Sequence, residues 1–482
     1  TQRLSNGTNG GAGVFGVNVA QGRLWLRNGT YAVTGEMVVG GALLTDGNFT
    51  AAALDISHSA TLNAANWFSI GRGHGTTGLS STVTVDGGTL NITSATNGLA
   101  MGYNANLPDY QAVQSLMIKG TGVVTIAGML NSGENAGSDS TITLQNSATL
   151  NLNNATQLSK SIGVGGKATL VLTSGLINAG ASGFSIARDA TGTGVVLLDG
   201  GIIDAGSIIG GSGNSTLHLN GGTLRANSSN AAFLQNISAV KVESGGANID
   251  VQTYDVTVQA LSAGTAVGNV VKNGAGILRM AGANSYRGNT TVNAGSLVLN
   301  NTASLTFAPK AHNVCNQLTG AGSATLEGSF VFDLTEATVA DNNSWTIVNT
   351  TGKTFAASFS VAGFDDTDND NKWVKSESGT TWTFDEATGV LSVKVSVGFD
   401  SWITGFGLDE ADLAASADPD DDGFNNLLEY VLGGQPATAD QNLAPQGQRD
   451  GNQFVFTFRR SDLALNGGDV QLQVEYGNNL SG

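Results

Sequence analysis

The densest set of hard oxygen ligands in the chain lies at residues 418–429. It reads Asp418-Pro419-Asp420-Asp421-Asp422-Gly423-Phe424-Asn425-Asn426-Leu427-Leu428-Glu429. Counted from Asp418, carboxylates fall at positions 1, 3, 5 and 12, glycine at 6 and Asn426 at 9. That is the spacing of a twelve-residue calcium loop, D-x-D-x-D-G-x5-E. Calcium takes about six to eight oxygens, so alternate Asp side chains converge on it and the distal Glu chelates through both oxygens. The expected ligands are Asp418, Asp420, Asp422, the Phe424 carbonyl, Asn426 and Glu429, and the expected ion is a structural calcium. The competing reading is a solvated acidic linker; the glycine and the glutamate both falling in register favour the site. A weaker echo runs through Asp366, Asp368, Asp370 and Glu377. There Asn371 replaces the glycine and the flanks read as strands, which favours a solvated acidic turn.

Other chemistry is thinly represented. Neither G-x-S-x-G nor G-x-x-x-x-G-K-[ST] occurs. Two G-x-G-x-x-G matches, from Gly11 and from Gly73, open no helix of a βαβ unit. His58, His74, His218 and His312 lack zinc spacing, and His74 reads as a surface turn residue. Cys315 is the lone cysteine, so no disulfide forms within the chain; it reads as a small apolar residue. Sugar cleavage wants carboxylates grouped on one patch. Asp86 and Asp199 precede Gly-Gly and read first as turn formers, and nothing selects Asp204. The expectation is therefore a protein that is not an enzyme.

The elements around the acidic loop are short. Leu408 to Ala417 is expected to form a preceding helix, and a second starts near Leu427 and ends at Gly433-Gly434. Upstream, a turn-strand motif recurs: Asp86-Gly87-Gly88-Thr89-Leu90-Asn91-Ile92, then again around Val124, Leu150, Ile177, Ile203 and Leu224. The separations of these apolar positions are 34, 26, 27, 26 and 21 residues. A β unit recurring near 26 residues is the mark of a solenoid, and a β-sandwich does not repeat one motif at one period. A second recurring element runs from an apolar residue into a glycine corner: Ile70-Gly71, Met101-Gly102, Ile162-Gly163 and Ile209-Gly210. Stacked coils place the six aliphatic residues in one inward row, rung on rung at ~4.8 Å, for a rod of roughly 60 Å.

Residues 270–300 carry Lys272-x-Gly274-x-Gly276-x-Leu278, then Gly282-Ala283-Asn284-x-Tyr286-x-Gly288, then Thr290-Thr291-Val292-x-x-Gly295-x-Leu297. This segment closely resembles the autotransporter-associated β-strand repeat, and residues 80–225 look like degenerate copies. The resemblance implies a right-handed parallel β-helix and a secreted or outer-surface protein of a Gram-negative bacterium. Residues 418–429 likewise resemble the single calcium loops of dockerin and thrombospondin-type-3 repeats.

The fold expected is all-β: a right-handed parallel β-helix, or β-solenoid, with a C-terminal β-rich cap and a small helical calcium-loop segment. Its expected parts are a repeat array at 1–300, an aromatic-rich β cap at 301–397, a helix–calcium loop–helix linker at 398–436 and a β segment at 437–482. Residues 1–300 hold 13 acidic and 13 basic side chains; residues 301–482 hold 25 and 8, which accounts for the net charge of −17. A neutral array with an acidic tail does not attract nucleic acid. No apolar run is long enough for a membrane-spanning helix. The expected function is a structural or adhesive extracellular rod, with polysaccharide binding or cleavage as the rival. Surface glycans are possible partners, and Tyr31, Tyr103 and Tyr286 are the aromatics that would face them. The alternating stretches Gln453–Phe458 and Val470–Tyr476 point to end-to-end assembly into a homo-oligomer or fibre.

Overall fold

The computed structural model describes residues 8–9, 13–19, 22–41, 51–72, 79–103, 112–366, 368–377, 380–395, 398–440 and 443–473. His74 and Val474–Tyr476 lie outside them. The chain divides into two units. The first comprises residues 1–308, 316–333 and 347–362, and the second 309–315, 334–346 and 363–482.

The first unit is the parallel β-helix that the repeats imply. Its strands form three columns, each strand paired in parallel with its counterpart one coil away. One column runs through Thr61–Ala64, Thr89–Ile92, Val123–Ile126 and Thr149–Leu152. Another runs through Glu36–Gly41, Phe68–Arg72, Gly98–Met101 and Met129–Ser132. The third is a separate sheet of 10 strands that starts at Gly22–Leu26 and ends at Ser262–Ala263. Among the described residues the sheet holding the first two columns has 26 strands, and the pairing of Thr8–Asn9 with Gly13–Val19 is antiparallel.

Register makes the inward row exact in sequence terms: Leu90 pairs Val124, then Leu150, Ile177, Ile203 and Leu224 in turn. All six side chains are fully buried. The sequence reading closes the array at residue 300, but the parallel stack continues through Leu318–Leu326 and Val348–Phe355 to Ser360–Val361. Aromatic side chains fill this end, with Phe330 edge-on to Phe307 at 4.8 Å and to Phe359 at 4.9 Å. Phe330 is thus an inward-facing ring of the stack.

Glycine abundance has a local cause. Gly40, Gly71, Gly102, Gly133 and Gly163 follow successive register partners and hold φ of +78°, +67°, +76°, +65° and +79°. Each turns the chain at the same corner of its coil in a backbone region that costs other residues. A Cβ at Gly163 would stand 2.5 Å from the Thr193 carbonyl oxygen.

Two lysines occupy inward aliphatic positions. Lys160 pairs Leu130, and Lys272 pairs Ile249 and Val292; both are fully buried. The Lys160 ammonium donates to the Ala179 carbonyl (2.9 Å) and Ser182 Oγ (2.6 Å), and that of Lys272 to the Gly274 (2.5 Å) and Ala294 (2.8 Å) carbonyls. These are corner carbonyls that the ladders leave over. Burial lowers both pKa values to about 8.

The second unit carries an antiparallel sheet ordered Ser344–Thr346, Val390–Val395, Thr380–Asp385, Lys372–Glu377. Trp345 stacks on Trp382 at 5.6 Å, and its Nε1 donates to the Ala311 carbonyl. Past residue 437, where a β segment is expected, the structure has one antiparallel hairpin, Gln446–Asp450 with Gln453–Thr457, and then a helix, Asp462–Gly467. Residues 470–473 are not a strand. Ser461 caps that helix, accepting from Leu463 and Ala464 N–H.

Two outcomes follow. Leu150→Ala should lower stability by about 2–5 kcal/mol, read as a shift in the urea midpoint. For Lys272, the folded pKa lies below the unfolded one, so the unfolded chain holds the extra proton between about pH 8 and pH 10.5. Stability relative to Lys272→Met should therefore rise across that window; a flat difference would contradict the burial argument.

Candidate metal centre

Three short helices build the site: α1 (Phe399–Thr404), α2 (Asn426–Leu432) and α3 (Asp462–Gly467). Tyr430, Val431, Leu432, Leu443 and Ala464 form their core, with Phe399, Trp402, Phe424 and Val470 against it. The Phe424 side chain thus anchors the acidic loop to the core.

A helix is expected at Leu408–Ala417, but only a 3-10 turn, Glu410–Asp412, forms there. Asn426 explains the difference. Its Nδ2 donates to the Asp412 (2.7 Å) and Ala414 (2.9 Å) carbonyls, while Asn426 and Leu427 N–H donate to the Ala417 and Ala415 carbonyls. Those acceptors would otherwise serve a helix. With Nδ2 engaged, Asn426 Oδ1 is buried and has no partner.

The loop closes on its own backbone. Asp418 accepts from Asp422 and Gly423 N–H, Asp420 from Asp422 N–H, and Asp422 Oδ1 from Phe424 N–H. Asp421 and Gly423 take left-handed φ values of +57° and +90°. Ligand oxygens of Asp418, Asp420 and Asp422 lie within 4.8 Å of one another. Among the described residues this is the one such group of His, Cys, Asp and Glu. Glu429 is fully buried and neither carboxylate oxygen has a hydrogen-bond partner; Asp420 Oδ2 is also buried and unpartnered. Burial first, then Asp420, Asp422, Asp440 and Asp418, push Glu429 up to about 7. Four orphaned hard oxygens facing like charge fit a divalent cation, and the donor set is the one calcium takes. Of the expected ligands, Asp418, Asp420 and Asp422 come together and Glu429 falls outside that group; with the Phe424 carbonyl, Asn426 and Glu429 they would hold the ion.

Asp440 was invisible to spacing rules. It lies 11 residues past Glu429, outside the twelve-residue frame, yet its N–H donates to Asp422 Oδ2 at 2.6 Å. No sequence signal marks it. The weaker echo behaves as an acidic turn: Asp370 pairs with Lys372 at 3.0 Å and Glu377 with Lys375 at 3.2 Å.

In the β-helix, the acids weighed for sugar cleavage are tied to neighbours. Asp86 pairs with Lys119, Asp199 accepts from Asn220, and Asp204 accepts from Arg225 and Asn227. Tyr286 is buried, its hydroxyl 2.5 Å from Thr290 Oγ1, so it does not face a glycan. Tyr31 is exposed, and Tyr103 lies under the Arg72 guanidinium at 5.2 Å. One further polar group was missed. Arg72, Tyr103, Glu134 and Arg188 each stand two residues past successive inter-coil partners, Ile70, Met101, Ser132 and, two coils on, Ile186. Glu134 Oε1 accepts from Asn131 Nδ2, Oε2 is buried without a partner, and burial pushes Glu134 up to about 7. On the same turns opens a groove of about 610 Å³, lined by Val113, Gly137, Gly165, Lys167, Thr191 and Thr193 among others.

Residues 270–299 match the passenger-associated-transport-repeat family model. No curated protein matches the chain. The matched residues are structural pins. Lys272 ties corner carbonyls; the buried Asn284 accepts from Leu261 N–H and donates to the Gly282 and Ser304 carbonyls, joining three coils. This repeat is one of autotransporter passenger domains, which accords with a surface-exposed or secreted protein. No helix among the described residues is long and apolar enough to cross a membrane.

Calcium at 100 times its Kd should stabilise the second unit by about 2.7 kcal/mol. Glu429→Gln should abolish that gain and, with calcium chelated, melt above the wild type, because it removes a buried carboxylate facing like charge. Scanning calorimetry with and without chelator reads both.

Proposed function

We propose that this chain is a non-enzymatic extracellular scaffold of the passenger type, whose C-terminal unit is ordered by calcium. The observation that carries the reading is the outward face of the β-helix. Asn63, Asn91, Thr125, Asn151, Asn178 and Asp204 are successive register partners. Most bond to each other or to the next rung, as Asn91 Nδ2 does to Asn63 Oδ1 at 2.9 Å and Asn151 Nδ2 to Thr125 Oγ1 at 3.3 Å, while Asn178 accepts from Gly180 N–H in its own turn. Side chains spent on rung-to-rung bonds give a stiff polar stripe rather than a reactive centre.

The C-terminal hairpin supports self-association. Phe454, Val455 and Phe456 are all exposed, Phe454 at 72 %, and both strands have a free edge. End-to-end assembly through such edges is the adhesive or fibre-forming arm of the proposal, at the outer surface of a Gram-negative cell.

A second reading has one specific observation behind it: the groove lined by Val113, Gly137, Gly165, Lys167, Thr191 and Thr193, on turns that neighbour the Glu134 corner. Each cation there is matched by an acid, Arg72 by Glu36, Arg188 by Asp189 and Lys167 by Asp139. That balance suits a neutral glycan better than an acidic one. Sedimentation velocity with Phe454→Ser and Phe456→Ser together tests assembly, and loss of a concentration-dependent oligomer is expected. A glycan array with Lys167→Ala and Thr191→Ala together tests the groove; unchanged binding of every glycan retained by the wild type would remove it.

A further inference from the structure

We propose that residues 433–440 form a clasp closing over the calcium loop, with Asp440 as its latch, so that filling the loop and fixing the clasp are one event. The inference rests on the calcium reading above and adds a residue and a moving part that the loop motif does not contain.

The clasp begins at the ligand itself. α2 ends at Gly433, in the left-handed region at φ +81°, and the N–H groups of Gly433 and Gly434 both donate to the Glu429 carbonyl, at 2.7 and 2.8 Å. The chain therefore reverses one turn beyond the distal carboxylate. It returns so closely that Gly434 has no room for a side chain. A Cβ there would stand 2.3 Å from Leu443 Cδ1, 3.1 Å from Glu429 Cβ and 3.2 Å from Asp440 Oδ2. Asp440 Oδ2 accepts from Gln435 N–H at 2.8 Å, which closes the clasp on itself. Asp440 N–H then donates to Asp422 Oδ2, which ties the clasp to position 5 of the loop.

Asp422 is thus bifunctional: Oδ1 accepts from Phe424 N–H inside the loop, and Oδ2 accepts from Asp440 N–H outside it. A group that fixes the carboxylate of Asp422 also fixes the clasp. Repulsion supplies the opposing force. Asp440 is held against Asp422 by its own N–H and lies across Gly434 from Glu429, so closing the latch brings a fifth acid to Asp418, Asp420, Asp422 and Glu429. The closed form is favoured when a cation offsets that charge. Two observations beyond the three clustered aspartates point to the cation: Glu429, fully buried with both oxygens unpartnered, and Asn426 Oδ1, likewise buried and unpartnered.

The experiment uses the full chain, with calcium as the probe and magnesium as comparison. Calcium affinity is read by titration calorimetry, and hydrogen exchange is followed separately over 418–429 and 433–440. In the wild type, calcium should slow exchange in both segments together. Asp440→Ala should bind calcium roughly 10- to 100-fold more weakly, keep protection in 418–429 at saturation, and lose it in 433–440. Gly434→Val, which props the clasp open sterically, should reproduce the exchange pattern. Near-ultraviolet circular dichroism from Trp402 and Tyr430 checks that each variant keeps its core. If the wild type binds no calcium, the calcium reading itself fails. If it binds and protects the loop while 433–440 exchange unchanged, or if Asp440→Ala equals the wild type in both measures, the clasp is overturned and the loop stands.

Discussion

Every coil of the β-helix leaves its strand N–H and C=O groups pointing along the stack, where only the next coil, in register, can satisfy them. That constraint governs the first unit. It forces residue types into columns, because a position buried in one coil is buried in its neighbours. It also makes corners identical: each coil must turn at the same place, so a left-handed residue recurs at Gly40, Gly71, Gly102, Gly133 and Gly163. A side chain there meets the backbone or a side chain of the neighbouring coil. The corners leave carbonyls that no strand uses, and Lys160 and Lys272 accept the cost of burial to reach some of them.

How much of this could be read beforehand depends on whether a feature repeats. The row through Leu90, Leu150 and Ile203 was legible because the stack copies it rung after rung, and the glycine corners for the same reason. The end of the array at Val361 was not legible. Phe307, Phe330 and Phe359 replace small aliphatic residues there, and that change of composition resembles a change of domain. The missing helix before the acidic loop was hidden for another reason. Propensity over 408–417 is local, whereas the carbonyls that would sustain a helix are taken by Asn426 and Leu427 from farther along the chain.

The same distinction separates the two kinds of candidate site. In the acidic loop, residue spacing is itself the geometry, since alternate side chains of a tight turn converge. Asp418, Asp420 and Asp422 therefore came together as their positions required. Asp440 and Glu134 reach their places through tertiary structure: one by chain reversal past Gly433-Gly434, the other by stacking of coils. No local pattern announces either, and in both the telling feature is an oxygen or an N–H whose partner lies far away in sequence.

The family match has to be weighed by where its residues sit. Lys272, Asn284, Tyr286 and Thr290 are all buried; Lys272 and Asn284 join one coil to the next, and Tyr286 bonds Thr290 four residues on. The signature of the repeat is therefore a stacking code. Two proteins sharing it share a way of satisfying corner carbonyls and inward polar groups, while their outward rows remain free to differ. Function in such a chain must be sought where the repeat is silent: on the polar stripe, at the Glu134 corner, and in the second unit. There the buried, unpartnered oxygens of Asp420, Asn426 and Glu429 are polar groups that the fold leaves unsatisfied.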